Sequence, residues 1–244
     1  GRYGNSGDGG AVSWAGIDGI VVNCRFIDNK AIRNNNLNKT GRGGAVFIGS
    51  CDHGNNNTRF SDCYFSKNVA GTNGGAIDWN AGAHNGLVDN CTFIKNTANR
   101  SAGAIYWFGI NGTIKDSTFT DNDALGIAEA LDSYGNLTYG GYGGAVMWTG
   151  AIGDVYNSTF INNEAHYNGA ANSGGRGGAI YLQGSTEGNC SITTFDKCTF
   201  IGNIAGTNGG AIDWHEGAHD GLINNSVFED NKASANGGAV YWRD

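Results

Sequence analysis

The chain has 244 residues, with 43 glycines and no proline, and its 22 acidic and 15 basic side chains leave a net charge of −7. High glycine without proline or a strict triplet argues against collagen and proline-rich linkers, and apolar residues, 39% of the chain, return in register, which argues against disorder. There is no basic run to meet nucleic-acid phosphates, and no apolar stretch approaches the ~20 residues a membrane-spanning helix needs.

Along the chain, Gly-Gly-Ala followed by Val or Ile opens at Gly9, Gly43, Gly74, Gly143, Gly177, Gly209 and Gly237. A variant, Ala102-Gly103-Ala104-Ile105, fills the one gap. Between these signatures Phe-x-x-Asn-x-Ala recurs, as Phe26/Asn29/Ala31, Phe65/Asn68/Ala70 and Phe93/Asn96/Ala98, then as Phe119/Asn122/Ala124, Phe160/Asn163/Ala165, Phe200/Asn203/Ala205 and Phe228/Asn231/Ala233. Repeats in fixed order at this length predict a solenoid.

One repeat, Gly74 to Ala98, shows the coil. Ile77 and Trp79 face one way and Ala76 and Asp78 the other, the period-two rule of a strand. A Gly-rich corner follows at Gly82 to Gly86, then Leu87-Val88, a polar pair Asp89-Asn90 that breaks the alternation, and Cys91-x-Phe93. About three short strands and three corners per repeat are expected. Stacking such coils about 4.8 Å apart turns every inward position into a ladder. One ladder runs from Trp14 through Ile48, Trp79, Trp107, Trp148, Leu182 and Trp214 to Trp242, and a second holds the phenylalanines. A third alternates Cys and Ser (Cys24, Cys63, Cys91, Ser117, Ser158, Cys198, Ser226), and a fourth, at a corner, holds the asparagines. Asparagine amides there can bond one another and the turn backbone.

A longer period lies above this one. Ala70 to Phe93 returns as Ala205 to Phe228 with 17 of 24 positions identical, and the signature glycines repeat at offsets of 134–135 residues. Four coils therefore form a super-repeat, and the expected architecture is one all-β parallel helix over residues 1–244 with about seven coils. With the only Met at position 147, the chain reads as a segment of a longer protein.

Gly-Gly-Ala-Ile/Val alternating with Phe-x-x-Asn resembles the repeats of polymorphic outer-membrane proteins, the adhesin-like surface proteins of methanogenic archaea, and other right-handed parallel β-helix adhesins. The resemblance implies a right-handed helix, as does the chirality of parallel connections. It also implies an extracellular, cell-surface protein, non-catalytic, used in attachment or as an envelope stalk. Its partners would be glycans or proteins of host or neighbouring cells, or other copies of itself. Two alternatives stay open: an extracellular polysaccharide lyase or glycoside hydrolase, and a self-assembling filament or coat subunit.

Candidate site residues follow from the register. The position between Ile/Val and Trp faces outward, and there Asp78, Tyr106, Tyr181, Asp213 and Tyr241 form a glycan or protein contact stripe. Asp78 and Asp213 lie four coils apart, about 19 Å, too far for the carboxylate pair of a glycosidase. Asp213, His215, Glu216, His219 and Asp220 are the densest set of metal-type ligands, the first four the candidate site, but their spacing matches no metal motif. No cofactor is expected. Cys51 and Cys190 lie off the Cys/Ser ladder, and Cys51–Cys63 and Cys190–Cys198 are candidate disulfides in an oxidising compartment. Eight Asn-x-Ser/Thr sequons, at Asn38, Asn56, Asn90, Asn111, Asn136, Asn157, Asn189 and Asn224, mark a candidate glycoprotein.

Overall fold

The computed structural model describes residues 7–33, 40–49, 57–80, 82–127, 140–150, 152–169, 174–184, 193–215, 217–218 and 220–243. These residues form a right-handed parallel β-helix with no α-helix, hence no helix long and apolar enough to cross a membrane. Its 29 strands fall into four parallel sheets, one of eight strands and three of seven, so the described residues span about seven coils.

Each coil contributes one strand to every sheet. In the third coil these are β9 (Ile77–Trp79), β10 (Leu87–Asp89), β11 (Thr92–Ile94) and β12 (Thr97–Ala98). The fourth strand corrects the expectation of three. Two residues are too short to show an alternation, yet Ala98 pairs in register with Ala70 and Ala124 and is fully buried. The small Ala side chain lets this narrow side of the coil close.

The corners explain the polar breaks in the pattern. Asn85 (φ 56°), Asn90 (φ 48°), Lys95 (φ 55°) and Ala102 (φ 62°) each adopt a left-handed conformation between strands of the coil. Asn and Asp dominate such positions throughout because their short polar side chains tolerate this region best among non-glycine residues. The Gly-Gly corner is tighter still. Gly74 has φ 66°, and a Cβ on Gly75 would overlap the carbonyl oxygen of Gly103 in the next coil. The first glycine therefore reverses the chain and the second lets neighbouring coils approach.

Inside, the expected ladders are present and in register. Trp79, Trp107 and Trp148 stack with centroids 4.3 and 4.7 Å apart, and Trp214 on Trp242 at 4.3 Å. The indole N–H groups of Trp79, Trp107, Trp148 and Trp214 are buried without an acceptor, so packing alone holds that stack. Glycines leave room for the rings, since a Cβ on Gly112 would strike the indole of Trp107. The phenylalanines stack from Phe26 to Phe228 at 4.6–4.9 Å, nearly coplanar.

The asparagine ladder is continuous. Asn96 Nδ2 donates to Asn122 Oδ1 at 2.9 Å and to Phe65 O at 3.1 Å, while Asn96 Oδ1 accepts from the backbone and side chain of Asn68. Successive rungs are separated by between 26 and 41 residues of chain, yet each amide-to-amide bond is 2.9 Å. Coil length and rung spacing are thus independent: extra residues are accommodated outside the ladder.

The Cys/Ser ladder faces inward as well. Cys63, Cys91 and Cys198 are buried, and the Cys63 thiol donates to Ser61 O at 3.2 Å, a bond the hydroxyl of Ser117 makes to Lys115 O. Cys63 and Cys198 are free thiols here, serving as small core side chains. Their proposed partners Cys51 and Cys190 lie outside the described residues.

Candidate functional site

The outer face of the eight-stranded sheet differs from the other three sides of the rod. Its strands are β1 (Val12–Trp14), β5 (Val46–Ile48), β9, β13 (Ile105–Trp107), β17 (Val146–Trp148), β21 (Ile180–Leu182), β25 (Ile212–Trp214) and β29 (Val240–Trp242). The middle residues form one row in register: Ser13, Phe47, Asp78, Tyr106, Met147, Tyr181, Asp213, Tyr241.

This row is not the open stripe expected from alternation. Asp78 and Asp213 are 0% exposed and Tyr181 2%. The cause is the Gly-Gly corner. Its left-handed glycine folds the preceding residue back over the strand, so the residues before each signature form a second row on the same face. Asn73 bridges Ser101, and Tyr142 bridges Arg176, in parallel. The residues after the strands form a third row, linked by backbone bonds such as Gln183 N to Trp148 O and His215 N to Leu182 O. The sheet face thus becomes a trough with the predicted row as its floor. A chemically variable residue directly before the recurring Gly-Gly was the signal in the sequence.

Two related places in the trough show how the floor is covered. Near one end, Arg42 reaches over the ring of Phe47, its Cζ 4.5 Å from the centroid. Its Nη2 donates to Asp8 Oδ2 at 2.9 Å and its Nη1 to Asn80 Oδ1 at 3.3 Å. At the super-repeat offset, Arg176 takes the place of Arg42, Tyr142 of Asp8, Tyr181 of Phe47 and His215 of Asn80. There Arg176 Nη1 donates to His215 Nδ1 at 2.8 Å; guanidinium has no acceptor, so this ring nitrogen is the acceptor. Tyr142 stacks on Tyr181 at 4.7 Å.

Each place holds a buried acid. Neither carboxyl oxygen of Asp78 or of Asp213 has a hydrogen-bond partner. Burial pushes Asp78 up to about 8, opposed by the positive charge of Arg42. Burial likewise pushes Asp213 up to about 7, opposed by Arg176. Desolvation therefore favours the neutral acid form of both, more strongly for Asp78 than for Asp213.

Between them the trough opens into a cleft of about 380 Å³. Tyr106, Met147 and Tyr181 form its floor, Asn73, Ser101 and Tyr142 one wall, and Gln183 and His215 the other, with Arg100 at the end nearer Asp78. Ala102, the one signature residue that replaces a first glycine, packs with Met147 and Tyr181 beneath it. Of the predicted contact residues, Tyr106 and Tyr181 meet in this cleft, Asp78 and Asp213 flank it, and Tyr241 lies beyond it. Of the candidate metal ligands, Asp213 is buried and His215 is engaged by Arg176, while Glu216 and His219 lie outside the described residues. Among the described residues no cluster of three His, Cys, Asp or Glu side chains suits a metal ion.

The described sequons Asn90, Asn111, Asn157 and Asn224 are all exposed. Each side-chain amide donates to a neighbouring coil, as Asn90 does to Asp62 Oδ1 at 2.6 Å.

Comparison with known proteins follows the repeat. Residues 62–78, 90–106, 197–213 and 225–241 match the model of the Chlamydia polymorphic membrane protein (Chlamydia_PMP) repeat. Each match runs from the corner before the Phe strand, through the asparagine rung and the Gly-Gly signature, to the strand of the trough floor. No curated protein and no solved structure gives a significant match.

Proposed function

We propose that this chain is a rigid segment of a surface-exposed, adhesin-like protein, a non-catalytic stalk whose outer rows and corner loops make the contacts. The observation that carries this reading is the pairing of a regularly repeated interior with a variable exterior. Phe and Asn ladders run the length of the described coils, beside a third ladder of Trp broken only by Ile48 and Leu182, while the trough rows change identity from coil to coil. Such a rod holds by nearest-neighbour stacking and suits reach and display. Recognition on a rigid scaffold sits in its variable surface positions. The matched repeat, named for a membrane protein, supports a place at the cell surface.

Partners in this reading are glycans or proteins of neighbouring or host cells. A catalytic reading finds little support in the trough, since Asp78 and Asp213 are four strands apart, about 19 Å. The test is direct. Antibodies raised against the folded chain are applied to intact cells of the source organism, followed by brief protease treatment. Labelling before permeabilisation, abolished by protease, is the expected result. Labelling only after permeabilisation would sink the surface assignment.

A further inference from the structure

The cleft at the centre of the trough has a composition that sets it apart from the acidic molecule around it. Its floor and walls offer tyrosine rings at more than one level, with Tyr142 stacked on Tyr181 and Tyr106 on the neighbouring part of the floor. The amides of Asn73 and Gln183 and the Ser101 hydroxyl supply donors and acceptors. Cationic groups stand at both ends: Arg100 at one, and at the other Arg176, whose guanidinium grips His215 at 2.8 Å. Among the described residues no carboxylate lines the cleft.

The acids nearest in register, Asp78 and Asp213, sit beside Tyr106 and Tyr181 but are sealed under the covering rows. Burial raises both toward or above neutrality, so their negative charge is reduced at pH 7. In a chain of net charge −7, the cleft thus faces solvent with arginine and tyrosine. Its volume of about 380 Å³ lies at the small end of the range of ligand sites. It is elongated along the rod, because its lining comes from successive coils on β13, β17 and β21.

Flat aromatic faces suit the apolar C–H faces of a pyranose ring, amides and hydroxyls suit its hydroxyl groups, and arginine suits a carboxylate. We propose that this cleft binds a carboxylated oligosaccharide lying along the rod axis, with sugar rings on Tyr106 and on Tyr142, which the buried Tyr181 supports from below, and carboxylates toward Arg100 and Arg176. The shared chemistry is a pyranose carrying a carboxylate, and both uronic and sialic acids provide it. The proposal gives a ligand class to the attachment reading above and rests on that reading for its biological setting.

The experiment is calorimetric titration of the folded chain with trigalacturonate, sialyllactose and neutral maltotriose at low salt. One acidic probe is expected to bind at least tenfold more tightly than maltotriose, and which one binds identifies the source. Tyr142→Ala and the exposed Gln183→Ala should each weaken that binding several-fold, while Tyr156→Ala on another face leaves it unchanged. Thermal melts confirm that the variants fold, and Gln183→Ala removes no buried group. Equal affinity for maltotriose, no binding of any probe, or binding indifferent to the cleft variants overturns the proposal. The surface-labelling result is independent: its failure leaves a positive titration standing, and a negative titration leaves surface exposure standing.

Discussion

The two halves of the super-repeat agree inside and differ outside. Within, Trp79 and Trp214, Phe93 and Phe228, and Asn96 and Asn231 occupy matching rungs. On the trough floor Phe47 corresponds to Tyr181, and on its walls Asp8 corresponds to Tyr142 and Asn80 to His215. Arg42 is held by a carboxylate, with an Asp8 ion pair at 2.9 Å, whereas Arg176 is held by an imidazole. The interior of a solenoid is constrained by its neighbours above and below, because a changed rung disturbs two interfaces. The trough rows are joined to their neighbours by backbone pairing that does not depend on the side chain, so their side chains can change one at a time. The exceptions are instructive: Arg42/Arg176 and Asp78/Asp213 persist on the outer face, a buried acid with an arginine above it in both halves.

The sharpest way to break this contrast is to remove an interior rung. Asn122→Ala deprives Phe93 O, Asn96 N and Asn96 Nδ2 of buried partners. We expect a loss of about 4 kcal/mol in urea denaturation. Asn29→Ala at the first rung removes one side-chain bond in a half-buried setting and should cost only about 1 kcal/mol. Equal losses at the two positions would show that the ladder does not act as a chain.

The persistent acids give a pH signature. Asp78 has a folded value of about 8, above its unfolded value near 4, so the folded state binds the extra proton between them. Stability from this group is therefore highest below pH 4 and falls as pH rises toward 8. Asp78→Asn should stabilise the protein by roughly 2–5 kcal/mol at pH 8.5 and change little at pH 4. Asp213→Asn should follow the same course with a smaller gain, because its folded value is about 7. Melting curves across this range check both, and a variant whose melting temperature tracks that of the parent at every pH would refute the linkage.

Converting one half toward the other is a gentler change. Tyr181→Phe recreates the Phe47 arrangement and removes the hydroxyl's hydrogen bond with Arg176, at a cost of about 1 kcal/mol. Smallest of all is an effect outside the trough. His166 Nε2 lies 2.8 Å from Asp123 Oδ1, an ion pair when the ring is protonated, which raises its proton affinity, but its side chain is 38% exposed. Its stabilisation is present below its unfolded value near 6.5 and lost as pH rises through the higher folded value. His166→Gln should cost under about 1 kcal/mol at pH 5.5 and nothing at pH 9, as read from paired melts.

The ladders were legible in the sequence because each is one narrow set of similar residues at one register, repeated. The asparagine corner and the Trp row needed nothing more. Two things were not legible, for different reasons. The fourth strand, Thr97–Ala98 and its equivalents, is shorter than one period of alternation, so only its pairing reveals it. The burial of Asp78 and Asp213 depends on where the Gly-Gly corner sends Arg42 and Arg176, a consequence of left-handed φ that hydropathy does not carry. Alternation placed Tyr106 and Tyr181 on the outer face. The cleft above them required knowing that Ser101, Tyr142 and His215 fold back to the same face.

The asparagine ladder has one further property. Every amide-to-amide bond from Asn29 to Asn231 runs the same way, Nδ2 of one rung donating to Oδ1 of the next rung on the C-terminal side. The amide dipoles therefore add head to tail, and the rod is a vector rather than a symmetrical column. A coil stacked in reverse would set donor against donor. Growth of such an array by copying coils is consequently polar, each new coil reading its orientation from the one before it.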